Sequence, residues 1–217
     1  APSLIRLFSE NLTKQYKYVL IDSRTGFTDI SGICTMLLPQ KLIVVFTPNN
    51  QSYTGIKDLI VKATTYRRKS NDIRPLLVFP LPSRIEFSRD DLRAYWRYGN
   101  REKKITGYQN MFQDIFKDVY GLDECDLTEY FEQVQIQQSP NYAYGEDIAV
   151  INEKTKDTFS LSKSYEIFTQ WLVDSNPPWQ SRQSEESSNV NANAAIDFES
   201  IGLDLQNKAE YEKALSY

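Results

Sequence analysis

The sequence contains no histidine, and only two cysteines among its 217 residues. Without histidine there is no Ser-His-Asp or Cys-His activation of a nucleophile and no histidine-based zinc site. Any chemistry must rest on carboxylates, Lys and Arg side chains, backbone amides or a hard metal ion. Cys34 and Cys125 lie far apart and do not form a metal-spaced pair. They read as two buried thiols of a reducing, cytoplasmic compartment. No window approaches about 18 uninterrupted apolar residues, so no membrane span is legible. Glycine is scarce, and the first is Gly26. Nothing matches the phosphate-cradling pattern G-x-x-x-x-G-K-[ST].

The charge balance excludes a further class. A formal net charge of -4 argues against a nucleic-acid surface that works by bulk electrostatics, although a local basic patch would still be compatible with it. The carboxylate pairs Asp90-Asp91 and Glu185-Glu186 are neighbours in sequence. Neighbours project differently on a helix, so these read as solvated charges rather than as an acid/base pair. Apolar and charged fractions are ordinary for a globular chain, and the length allows one or two domains. The opening "APSLIRLFSE" has neither an initiator Met nor a signal-peptide pattern and is expected to belong to a chain already in progress.

The periodicities predict alternating elements. Leu4, Ile5, Leu7, Phe8 and Leu12 recur at helical spacing over residues 3–15. Three apolar runs too short for helices follow, at 18–22, 41–48 and 74–82. None alternates strictly, as expected for strands covered on both faces. Helical patterns precede the second ("ISGICTMLL") and the third ("SYTGIKDLIVKATTYRRK"). This alternation predicts an α/β fold with β-α-β crossovers and a mostly parallel sheet, whose ligands bind along the carboxyl ends of the strands.

Further on, residues 88–120 look helical and carry Tyr95, Trp96, Tyr98, Phe112, Phe116 and Tyr120, a stripe that reads as core or helix seam. "FEQVQIQQSP" (131–140) alternates like a strand nearer a sheet edge. "SLSKSYEIFTQWLV" (160–173) predicts a closing helix with Ser160 as N-cap. Residues 174–195 are rich in Ser, Asn, Gln and Pro and read as a flexible linker. Residues 196–217 regain helical periodicity.

The stretch "YVLIDSRTGFTDISG" (18–32) carries the candidate chemistry. An apolar strand that ends in Asp is how P-loop NTPases fix the carboxylate that orients magnesium. A Gly just beyond lets a backbone N–H approach a γ-phosphate with no Cβ in the way. Asp22 and Gly26 fit those roles. The alternative is a strand that ends in an Asx-type turn.

The longer run "YVLIDSRTGFTDISGICTMLLPQKLIVVFTPNNQS" resembles the second half of the ParA/MinD-type, deviant Walker A ATPases of the SIMIBI class. It is most similar to the bacterial subgroup in which that module is joined to tetratricopeptide repeats. "VFPLPSRIE" (78–86) and "SPNYAYGEDIAV" (139–150) resemble later segments of the same subgroup, and the likeness runs over roughly residues 3–173.

The resemblance implies a partial P-loop NTPase-type three-layer fold over 1–173, followed by the linker and an incomplete tetratricopeptide repeat at 196–217. It implies ATP and Mg as cofactors, with Asp22 as the catalytic, magnesium-orienting carboxylate and Gly26 as the switch glycine. Ser23, Arg24 and Thr25 would lie in the moving loop. Pro80, Leu81 and Pro82 stand where many members place an Asn for base recognition. Base contact there would come from backbone groups, and ATP versus GTP stays open.

In the repeat, Phe198, Ile201, Gly202, Leu205, Tyr211 and Ala214 hold packing positions. The implied partners are a nucleotide, proteins bound by the helical repeats, and a second copy in a homodimer. The Walker A loop is expected upstream, so this chain would hold the Walker B/switch II half of the site and be inactive alone. The alternative is a non-catalytic adaptor with a degenerate NTPase-like scaffold.

Overall fold

Strand β1 (Lys41–Phe46) and strand β2 (Leu77–Ile85) form with the two-residue strand β3 (Ile136–Gln137) a small parallel sheet of order β1-β2-β3. The computed structural model describes residues 2–23, 32–70, 75–142, 147–153, 160–174 and 176–181. The 20-residue helix α2 (Asn50–Lys69) connects β1 to β2. Ser83 and Ile85 of β2 pair in parallel with Ile136 and Gln137 of β3. The structure is thus a mixed α/β one, as the alternating pattern predicts.

The first helix, α1 (Pro2–Gln15), stands where expected. The described part of the segment "ISGICTMLL", residues 32–38, holds a π-helical turn, Ile33–Leu37.

The strands differ in how they are covered. In β2, Leu77, Val78, Phe79, Pro80, Leu81 and Pro82 are buried in succession, the signature of a strand enclosed on both faces. In β1 only Leu42, Val44 and Phe46 are buried, while Val45 is 63% exposed. Enclosure on both faces, expected for each run, therefore holds for β2 and not for β1. An unbroken β-branched run does not reveal which of its faces will be covered.

The predicted helical stretch 88–120 is two helices, α3 (Asp90–Tyr98) and α4 (Tyr108–Tyr120). Between them the chain turns back through reciprocal backbone hydrogen bonds of 2.9 Å between Asn100 and Ile105. Gly99 opens this turn at φ +92, a conformation L side chains rarely adopt. Helix α4 ends on left-handed Gly121. Most of the expected strand 131–140 is not strand. The short helix α5 (Thr128–Gln133) occupies its start, and Asp126 Oδ1 accepts the Thr128 N–H at 2.8 Å to begin it. That local side-chain-to-backbone bond favours a helical turn over a ladder.

The described residues divide into two compact units, one drawn from 1–42 and 59–77, the other from 43–58 and 78–192. In the first, Arg67 is buried and its guanidinium donates to the carbonyls of Met36 and Pro39, which satisfies the end of the π-helical turn. Leu4, Leu7 and Phe8 of α1 remain exposed.

The second unit has an aromatic core. Phe46 meets Tyr108 and Phe112 with centroids at 5.5 and 5.3 Å, and Phe131 meets Tyr108 at 5.0 Å. Two further short pieces follow, a 3-10 turn at Pro140–Tyr142 and helix α6 (Ala149–Asn152). Helix α7 (Leu161–Asp174) buries Trp171, and Ser160 Oγ accepts the Lys163 N–H at 3.1 Å as the expected N-cap. At the start of the expected linker, Pro177 and Pro178 are buried and Trp179 stacks on Tyr120 at 4.7 Å. Residues 182–217, which hold the rest of the linker and the expected repeat, lie outside the described residues.

Both thiols are free; Cys125 is buried and Cys34 only partly so. Burial pushes the Cys125 thiol up to about 11, with Lys117 opposing the shift. Since the thiolate is the reactive form, iodoacetamide at pH 8 should label Cys34 more than about tenfold faster than Cys125 in the native protein. In denaturant the two rates should converge, and peptide mass mapping reads both.

Candidate functional site

A strand at 18–22 is not found. Residues 18–23 are irregular, with Tyr18, Val19 and Ile21 exposed and Leu20 90% exposed. A strand must hand its N–H and C=O groups to a neighbour, and none of the described strands pairs with this run. Apolar composition marks the run as suited to a sheet but supplies no partner. Asp22 is exposed and Ser23 half-buried. Gly26, with Arg24 and Thr25, lies outside the described residues.

Pro80 and Pro82 lie inside β2 rather than at its end, because the strand continues to Ile85. Both are buried. The Tyr130 hydroxyl donates to Pro80 O at 2.8 Å, and the Tyr120 hydroxyl accepts the Val78 N–H at 3.0 Å. Burial raises the pKa of both phenols, so they stay protonated. Proline has no N–H to give, and these tyrosines service the backbone positions where a proline-containing strand loses regular ladder bonds. Neither proline has a donor to offer a base, and the Pro80 carbonyl already accepts one hydrogen bond.

Magnesium makes a smaller demand. It is commonly held by one or two carboxylates, with phosphate oxygens and waters completing the octahedron. An exposed Asp22 carboxylate fits that part. Among the described residues no group of three or more His, Cys, Asp and Glu is placed to hold a metal by itself. No described helix is long and apolar enough to cross a membrane.

Sequence reasoning missed a polar cluster on α3, within the second unit. Arg97 is 7% exposed yet carries a full charge. Its Nε donates to Gln109 Oε1 and its Nη2 to Thr128 O, both at 2.8 Å, while Gln109 Nε2 donates to Thr128 Oγ1 at 3.0 Å. Glu132 stands 3.9 Å from Nη2.

One turn earlier, Arg93 pairs with Asp90 at 2.8 Å and lies over the Phe87 ring at 4.9 Å. These residues line an open cavity of about 400 Å³ together with Tyr98 and Gln135. The signal was present in "DDLRAYWRYG", where Arg93 and Arg97 are spaced i, i+4 among aromatic residues, a spacing that puts two side chains on one helix face.

Comparison with protein-family models, with curated proteins and with solved structures returned no match to this chain.

Proposed function

We propose that this chain carries the Walker B and switch II half of a nucleotide-dependent switch ATPase. Asp22 would be the carboxylate that orients magnesium, with Ser23 and Gly26 in the loop that responds to the γ-phosphate. The observation behind this reading is the order of features. An apolar run ends in an exposed carboxylate, and strands β1 and β2 of a parallel sheet follow, joined through helix α2. Ligands of such sheets gather at the carboxyl ends of the strands. The phosphate cradle would come from a Walker A loop upstream, and base contacts from groups other than Pro80 and Pro82. The helical tail at 196–217 would bind protein partners, and nucleotide would favour a homodimer.

The test uses the full-length protein. Asp22→Ala should lower magnesium-dependent ATP turnover by more than about a hundredfold, since it removes a charge that holds the ion against the reacting phosphates. A folded Asp22→Ala variant with unchanged turnover overturns the assignment.

The buried prolines favour a second reading. Pro80 and Pro82 are enclosed and the Pro80 carbonyl is engaged by Tyr130, so the place expected to hold a base is a buried one. That is how a degenerate scaffold serving as an adaptor would look, with protein binding left to the repeats. The upstream reading frame separates the two. An intact G-x-x-x-x-G-[KR]-[ST] loop supports the switch ATPase, and its loss supports the adaptor.

A further inference from the structure

We propose that the groove beside α3 is a binding site for a peptide carboxylate, seated on Arg93 and Arg97 with the adjoining peptide N–H donated to Gln135. Two guanidinium groups supply the positive charge of the groove. Each lies over an aromatic ring, Arg93 on Phe87 at 4.9 Å and Arg97 on Tyr98 at 4.8 Å. Stacking holds a guanidinium's plane while leaving its edge, which carries the donors, open to a planar acceptor. Arg97 spends its Nε and Nη2 on Gln109, Thr128 and the distant Glu132, which leaves its Nη1 with no acceptor among the described residues. Arg93 has one partner among the described residues, Asp90.

The third group is Gln135, which lines the same cavity. It is 8% exposed, its Nε2 donates to Phe131 O, and its Oε1 is buried with no hydrogen-bond partner among the described residues. Exchanging the two amide atoms would set oxygen against the Phe131 carbonyl, so the unmet group is an acceptor. A buried acceptor without a donor costs about 1–3 kcal/mol in a folded protein, and a ligand N–H that displaced the side chains covering Oε1 from the adjoining cavity would recover it.

These requirements select the ligand class. A fully ionised phosphate monoester would satisfy the arginines but bring only further acceptors to Gln135, and inorganic phosphate, with a P–OH donor, is therefore the control that must be excluded. A carboxylate with an amide N–H one residue away satisfies both, and a peptide C-terminus has that geometry. Carboxylates already visit the groove from within the protein. Asp90 sits on Arg93, and Glu132 rests 3.9 Å from Arg97 with its side chain 60% exposed. Asp90 and Glu132 are the exposed members of these pairs, and the more exposed pair, Asp90 with Arg93, is weak and exchanges readily with an incoming carboxylate. Phe87 and Tyr98 give the ligand's last side chain an apolar wall.

The probe is N-acetyl-glycyl-leucine, compared with its C-terminal amide and with inorganic phosphate. The readout is the arginine Nε–H resonances of the 217-residue chain, followed by NMR. The free acid should move the Arg93 and Arg97 signals saturably, with a dissociation constant in the millimolar range. The amide should bind at least about tenfold more weakly, because it loses the charge-assisted pair. Arg93→Ala, which removes a partly exposed side chain from a surface pair, should melt near the wild-type temperature and weaken the acid about tenfold. Glu132→Gln should tighten binding by removing a competing carboxylate.

Equal binding of acid and amide overturns the proposal, as does no saturable shift in the millimolar range. Phosphate that moves the same resonances as tightly as the acid would make this an oxyanion site and overturn the peptide assignment. None of these outcomes bears on Asp22, so the failure of this site and that of the proposed ATPase are distinguishable.

Discussion

Trp171→Ala is expected to destabilise the protein by about 4 kcal/mol, a large share of the 5–15 kcal/mol that holds a typical domain together. The indole of Trp171 is fully buried on α7 and meets the Tyr130 ring edge-on, with centroids 5.0 Å apart and planes at 82°. Its Nε1 donates to Gln133 Oε1 at 3.1 Å, so one side chain ties α7 to two residues one turn apart on α5. Truncation leaves a cavity against Tyr130, whose hydroxyl supports the Pro80 carbonyl in β2. The loss should therefore reach the sheet. Trp171→Phe keeps most of the volume and should cost no more than about 1–2 kcal/mol, because Gln133 is exposed and can turn its amide to water. Urea denaturation followed by circular dichroism measures both. Near-equal losses for the two variants would show that the N–H bond, and not the packing, carries the contribution.

Gly107→Ala is the second large effect, with an expected cost of about 3 kcal/mol. A Cβ at Gly107 would sit 2.5 Å from Arg97 O and from Gly99 N, and closer still to the Tyr98 carbonyl carbon. All three are backbone atoms at the end of α3, so no flexible side chain can yield. Gly107 is where α4 begins, and it lets the turn through Asn100 and Ile105 close tightly on α3. The backbone shift would move Arg97 and with it the bonds to Gln109 and Thr128. Gly55 is the internal control. It lies in the middle of α2, and a Cβ there would meet nothing within 4 Å. Gly55→Ala should stabilise by about 0.5–1 kcal/mol, because alanine loses less chain entropy in a helix. Opposite signs for the same substitution, read as shifts in melting temperature, test the geometry directly.

The elements that depend on local pattern were legible. Helix α7 begins after Ser160 because a serine hydroxyl captures an early N–H, and α1 follows from apolar residues at helical spacing. Strands β1 and β2 were found from apolar runs too short for helices, although β2 begins and ends three residues later than the run suggests. The helical stretch 88–120 was read as continuous because a tight turn of nine residues leaves the composition on either side unchanged. Its glycines, Gly99 and Gly107, were the available sign. For 131–140, alternation pointed to a strand, but Asp126 and Thr128 upstream start a helix.

The candidate site was less legible. Asp22 was singled out for its position after Ile21, and that carboxylate is exposed. The strand assigned to residues 18–22 was not formed, since pairing is a property of two segments and a pattern describes one. The resemblance puts Pro80 and Pro82 at a strand end, whereas both are buried inside β2, where the Pro80 carbonyl is met by Tyr130 of α5, which is distant in sequence. The Arg97 network joins α3, α4 and α5 through side chains, a convergence no periodicity encodes.

The residue order by itself determined the absence of histidine chemistry, the α/β class and the helices and strands whose signals are local, because composition and periodicity act within a few residues. Only the tertiary structure decided which apolar runs become strands, which proline carbonyl is engaged and which arginines share a groove. Those outcomes depend on desolvation and hydrogen-bond pairing between segments far apart in the chain.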